Sequence, residues 1–389
     1  MKLRLLLVVI TFFSSPIWIS LPIVFILLMY HVRKTGILLL IWLLGFTYVV
    51  PFVLFGEFKV YFGFFRDFLE QDQFKRASIS LYLFISSIYI ASRPQNTPVL
   101  YFTHHSKLLY FVSCFFLSIL ILAPVEQTIL NSVSYSDISS SRVVIPVEYG
   151  VMFVFTMLSY SNKNVKMVHF FSILFILKYM LLGMRVAIVE VLLIYMLFWG
   201  KFQFNFRRIF ALYAGVVGMN FFAGWRGGKT INYLLVFFDI NLSNATDVFY
   251  SSLRLHGLKS VGLLSDWDGV TSLLYLLFGA FIPLTRPDLA NLSTIYRSNY
   301  GAGGGGLISS VLYVQGGYLA VLIVGLFIAT GLNGLQRKSR FSLGLAYSNA
   351  VVFMFPRWFA YYPSQLFKFN IYLIIFILIV TKFEKYAKG

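Results

Sequence analysis

Five arginines stand in or beside apolar runs, where a basic side chain is costly. Arg185 lies in "LLGMRVAIVEV", Arg226 in "FAGWRGGKT" and Arg357 in "FPRWFAYYP". Arg286 and Arg297 lie in "IPLTRPDLANLSTIYRSNYG". A guanidinium stays charged when partly desolvated and pairs with phosphate oxygens through two parallel N–H groups. A single such arginine ordinarily snorkels to a lipid headgroup. Five that fall on one side of the chain, with Arg254 nearby in "VFYSSLRLHGL", suit a polyanionic ligand instead.

The stretch "YGAGGGGLISSVLYVQGGYLAV" begins at Tyr300, three residues after Arg297. Gly303, Gly304, Gly305 and Gly306 lead straight into an apolar run. A helix start there presents free N–H groups and a partial positive charge, and glycine lets a large anion come close to the backbone. A flexible linker is the plainer reading of the glycines; the flanking arginines favour a phosphate or pyrophosphate site. The later pair Gly316-Gly317 is expected to allow close helix packing.

For proton transfer the candidates are Glu190, His256, Asp268 and Asp288. Each has an ordinary alternative. Glu190 follows Arg185 by five residues and can neutralise it, or it lines a polar cavity. His256, in a loop, can simply be solvated. The "DWD" at 266–268 is read as a loop with capping or sugar-binding potential rather than as metal ligands. Trp225, Trp267, Tyr296 and Tyr300 suit stacking on sugar faces, and equally suit anchoring at a membrane interface.

The elements that must carry these residues follow from composition. Of 389 residues, 59% are hydrophobic and 12% charged, and Phe occurs 43 times. Soluble domains are about 25% charged. An all-α integral membrane protein of many spans is expected, as one membrane domain over 1–389. The net charge of +18 lies in short loops, so it sets orientation rather than marking a nucleic-acid partner. The single cysteine, Cys114, allows no internal disulfide, and the five histidines lack zinc-site spacing, so neither metal nor cofactor is expected. The first 20 residues resemble a signal peptide but lack a small-residue cleavage site, and are read as a retained membrane segment.

Candidate spans lie at 36–55, 77–92, 107–124, 147–160, 167–182, 185–200, 208–224, 307–330, 341–360 and 368–381. The tail "KFEKYAKG" and the loops "QRKSR", "KFQFNFRR", "SNKNVK", "RPQNTPVLYFTHHSK" and "HVRK" are basic and alternate along the chain, which places them in the cytoplasm. The opposite loops hold 12 of the 14 Asp and Glu residues. This register favours a hairpin over one long helix for 4–31, for eleven or twelve spans in all. It leaves a large outer loop at 224–306, with short helices. Its apolar run 272–284 is too short to span and is expected to be re-entrant or to lie in the interface.

Three stretches resemble the O-antigen polymerases of the Wzy type. "LLGMRVAIVEVLLIYMLF" is similar to that family's Gly-x-Arg opening of a span. "FIPLTRPDL" resembles its Pro-rich basic stretch in a late outer loop. "YGAGGGGLISSVLYVQGGYLAVLIVGLF" is similar to its Gly-rich start of a span carrying a further Gly pair. The family often places an acid just after the glycines, where this chain has Ser309 and Ser310. The resemblance implies a multi-pass protein of the bacterial inner membrane that works in lipopolysaccharide biosynthesis. Its active site would face the periplasm and join oligosaccharide repeat units carried on undecaprenyl pyrophosphate. It implies that the arginines and the helix start stabilise the leaving pyrophosphate. A chain-length regulator would be a possible partner. The rival readings are an O-antigen ligase, a lipid-linked oligosaccharide flippase and a membrane acyltransferase. The last would want a reactive His or Ser constellation within a span.

Overall fold

The computed structural model describes residues 2–33, 36–51, 53, 71–93, 106–124, 147–160, 165–182, 185–199, 248–249, 251–257, 266–279, 306–334, 343–361 and 363–387. Among these residues the chain is helical and contains no strand. In chain order the helices are α1 (Lys2–Ser14), α2 (Ile17–Val32), α3 (Gly36–Pro51), α4 (Gln71–Ala91), α5 (Lys107–Leu122), α6 (Val147–Tyr160), α7 (Val165–Leu181) and α8 (Arg185–Trp199). They continue with α9 (251–257), α10 (Asp266–Phe278), α11 (Ile308–Gly334), α12 (Leu343–Phe353), α13 (Phe355–Ala360) and α14 (Gln365–Tyr386). Two are long and apolar enough to cross a membrane: the 24 residues Ile308–Gly331 and the 22 residues Gln365–Tyr386. The expected span 208–224 lies outside the described residues.

The chain forms two compact units. The first comprises Met1–Thr97, Leu242–Arg337 and Ala350–Asn370; the second comprises Pro98–Asn241, Lys338–Asn349 and Ile371–Gly389.

In the first unit, 4–31 is a hairpin of two helices. The chain breaks at Ser15-Pro16, because proline has no N–H to continue a helix. The free ends meet: the Arg4 guanidinium lies 3.0 Å from His31 Nε2 and donates to the Tyr89 carbonyl at 2.7 Å and to that of Ser92. Arg4 thereby caps the C-terminal end of α4, where a cation complements the helix dipole. α4 packs against both α2 and α11. It is rich in serine, and Ser78, Ser80, Ser86 and Ser87 are all buried. Ser80 and Ser87 return their hydroxyls to the carbonyls of Ala77 (2.8 Å) and Phe84 (2.7 Å), which makes burial tolerable. Small residues let the neighbouring backbone approach: a Cβ on Gly325 of α11 would sit 1.8 Å from Ser87 Oγ.

Two expected spans are interrupted. α11 breaks at the glycine pair: Gly316 (φ −150°, ψ 19°) and Gly317 (φ 66°, ψ −166°) leave the helical region. The Gly317 conformation is one that only glycine adopts without strain. The pair therefore opens the helix; Gly316 also allows the close packing expected of the pair, against α10, and Gly325 allows a second close approach, against α4. The expected span 341–360 is two helices, α12 and α13, because Pro356 in the first turn of α13 cannot continue a helix through Met354. Aromatic packing seats α13: Trp42 meets Phe355 edge-on at 5.6 Å, and Phe355 stacks on Phe359 at 4.8 Å.

The run expected to be re-entrant contributes to α10, whose 13 residues reach about 20 Å, short of a bilayer core. α10 lies against the break in α11. A Cβ on Gly269 would be 2.7 Å from the Gln315 carbonyl oxygen, and one on Gly316 would be 3.1 Å from Leu273.

In the second unit α5, α6, α7 and α8 pack together. Ser113 and Thr156 share a hydrogen bond of 2.7 Å, and Phe116 stacks on Phe153. Lys178 donates to the carbonyls of Leu120 (2.7 Å), Ile121 (3.1 Å) and Ala123 (2.7 Å), closing the C-terminal end of α5.

The core is mainly apolar, but it takes in polar groups, and much apolar surface is left outside it. Serines, Glu190, His256 and Asn349 are buried, while whole helix faces expose apolar side chains. On α5 these are Phe111, Phe115, Ile119 and Leu122; on α7 they are Phe170, Ile173, Leu177 and Leu181. Their spacing of three and four marks one face of each helix.

Candidate functional site

The glycine run ends at a helix start, as its sequence suggests, and three other stretches of the first unit converge there. The Leu307 carbonyl accepts the N–H groups of Ser310 (2.9 Å) and Val311 (3.2 Å), so α11 begins immediately after Leu307. The N–H of Leu307 donates to Ser252 Oγ at 2.9 Å, and Ser252 passes its own proton to the Val248 carbonyl at 2.7 Å. The N–H of Gly306 donates to the Ala360 carbonyl at 3.0 Å. A Cβ at Gly306 would stand 3.0 Å from a Leu255 methyl, so glycine admits the side chain of α9 here.

His256 lies on α9 and is completely buried, not solvated in a loop. The helical period turns it towards α4 and α11 at once. Its Nε2 is 3.1 Å from Ser310 Oγ and 3.4 Å from Ser80 Oγ, and its ring stacks on Tyr313 at 4.6 Å. Ser80 has committed its proton to Ala77, so it faces the imidazole with lone pairs only. Tyr313 in turn packs on Tyr318, across the break in α11, at 4.7 Å.

Arg357 lies on α13, the short helix whose last residue, Ala360, accepts the Gly306 N–H. Arg357 is 7% exposed. Its burial goes further than snorkelling to a headgroup would require. Arg254 is half-buried on α9, two residues before His256. The first unit therefore brings together Arg254, His256, Gly306 and Arg357 from among the sequence candidates.

Arg185 and Glu190 belong to the second unit. Arg185 opens α8, as the Gly-x-Arg reading expects, and Glu190 is fully buried one and a half turns later. Arg226, Arg286, Arg297, Gly303, Gly304, Gly305, Tyr300 and Asp288 lie outside the described residues, as do the side chains of Trp267 and Asp268.

Sequence reasoning passed over Ser80, Ser252 and Tyr313, and noted Ser309 and Ser310 only as the absence of an acid. Their role comes from contacts 54 to 176 residues apart in sequence, which no local pattern encodes. The helix start itself carries a partial positive charge. Such a place can hold an anion and has an imidazole one hydrogen bond away. Comparison of the chain with protein-family models, with curated proteins and with solved structures finds no match.

Proposed function

We propose that this chain is a multi-pass inner-membrane glycosyltransferase that polymerises oligosaccharide repeat units carried on undecaprenyl pyrophosphate. The observation that supports it best is the meeting, at the start of α11, of the glycine run's end with His256 and with α13, the helix that carries the buried Arg357. The exposed apolar faces of α1, α5, α7 and α11 support the membrane part of the reading, because a bilayer is the environment that covers them without a partner.

In this reading an acceptor hydroxyl attacks the anomeric carbon of the donor chain. The bond to the pyrophosphate oxygen breaks, and its electron pair leaves with the pyrophosphate. The helix start and Arg357 stabilise the charge that develops there, and they are held in place before the reaction begins. The acceptor proton passes to His256, which Ser80 and Ser310 orient. Arg286 and Arg297, which precede the glycine run in the sequence, are the further arginines assigned to the pyrophosphate.

The lipopolysaccharide banding pattern of a deletion strain tests the assignment. Lipid A core carrying one repeat unit is the expected result. Core with no repeat, while polymer gathers on its lipid carrier, would identify a ligase instead. The break in α11 favours a second reading as a lipid-linked oligosaccharide transporter, since unwound helices line many transport sites. Repeat units trapped on the cytoplasmic side of the deletion strain would support that reading.

A further inference from the structure

α11 begins in the interior of the protein without a cap. The residue before a helix is usually Ser, Thr, Asp or Asn, whose side-chain oxygen accepts an N–H from the first turn. Here it is leucine. The N–H groups of Ile308 and Ser309 precede the first intrahelical bond, so the helix supplies them no acceptor. Water satisfies such groups at an exposed helix start, but Leu307, Ile308 and Ser309 are all at 0% exposure.

A third donor stands beside them. The Ser309 hydroxyl is buried and has no hydrogen-bond partner. It does not turn back to its own helix, as the hydroxyls of Ser80, Ser87 and Ser252 do. Ser309 is the second residue of α11 and side chains on a helix lean towards its N-terminus, so this hydroxyl belongs to the same first turn as the two N–H groups. The preceding backbone donors are already committed, Gly306 to Ala360 and Leu307 to Ser252.

We infer that the anion seat is this first turn, with the N–H groups of Ile308 and Ser309 and the hydroxyl of Ser309 as its donors. The backbone of Gly306 is not part of it. The ligand class is a phosphate or pyrophosphate group, which offers several acceptor oxygens and a charge that complements the helix dipole. The inference rests on the lipid-pyrophosphate reading above and adds to it a residue outside the charged set.

The test uses the purified full chain in nanodiscs, with farnesyl pyrophosphate and inorganic pyrophosphate as probes. Ser309→Ala is expected to weaken farnesyl pyrophosphate binding by about tenfold or more, since a hydrogen bond to a charged group is lost. Ser309→Thr, which keeps the hydroxyl, is expected to retain most of the affinity. Ser309→Cys provides a second comparison if the alanine protein does not fold. Equal binding by wild type and Ser309→Ala would overturn the seat and leave the lipid-pyrophosphate reading standing. A wild type that binds neither probe would remove that reading and the inference with it. Inorganic pyrophosphate bound as tightly as the lipid form, and equally sensitive to Ser309→Ala, would support the seat with a free anion as its ligand.

Discussion

α5 and α11 both end inside apolar surroundings, and they deal with their backbone ends in opposite ways. At the start of α5, Ser106 accepts the N–H of Leu109 at 3.1 Å; at its end, Lys178 serves three carbonyls. α11 starts on a leucine and breaks halfway at a glycine pair. Buried backbone groups are almost always paired. The closed helix needs nothing more from outside the chain. The open one keeps unpaired donors beside a buried histidine, and that is where a ligand would contribute most. An ionisable group among apolar helices invites a functional reading; Lys178 shows that reading yielding to a structural role once its partners are known.

Variants can break this comparison, and the largest effect should come from packing. Gly325→Leu forces a side chain into Ser87 and the α4 backbone and is expected to destabilise the protein by about 3 kcal/mol. Thermal unfolding of the purified protein in detergent measures it, and an unchanged midpoint would remove the close α4–α11 approach from the account. Lys178→Met comes next. It strands the carbonyls at the end of α5 and should cost about 1–3 kcal/mol by the same assay, with glycosyl transfer by the surviving folded protein unaffected. Lost transfer without lost stability would mean that Lys178 is more than a cap.

Gly317→Ala sharpens the other half of the comparison. Nothing lies within 4 Å of the added methyl, so only the backbone strain of about 2 kcal/mol remains. A change in midpoint as large as that of Gly325→Leu would contradict this. Arg357→Ala is expected to stop chain extension while folded protein persists, and Arg357→Lys to restore it only in part, because the two-pronged geometry is lost. Full extension by Arg357→Ala would exclude this arginine from the site. The smallest expected effect is that of Ser80→Ala. It removes a 3.4 Å contact to His256 and should lower turnover a few-fold without moving the binding of farnesyl pyrophosphate, which would separate orientation of the imidazole from anion binding.

Some helix borders were legible in the sequence where an apolar run met a polar one, whereas α4 begins at Gln71, well before the expected 77. α6 spans Val147–Tyr160 and α8 Arg185–Trp199, each within a residue of its expected limits. The hairpin break at Ser15-Pro16 was legible for a similar reason, since basic residues at both ends want the same side of a membrane. Breaks inside apolar runs were harder to read. "QGGY" and "FPRW" sit in stretches apolar enough to pass as continuous spans, and hydropathy does not register a backbone torsion.

The sequence by itself determined the helical class, the apolar stretches, the position of the glycine run and the arginines that draw attention to it. Those properties are set by residue type and by spacings of three or four, which a linear reading can see. The tertiary structure alone decided that serine-rich α4 is buried, that His256 faces Ser310 and Ser80, that Gly306 is held by Ala360, and that Ser309 is left without a partner. Each of these depends on which distant groups reach a given donor or acceptor, and pairing between remote segments leaves no mark on the local pattern of either.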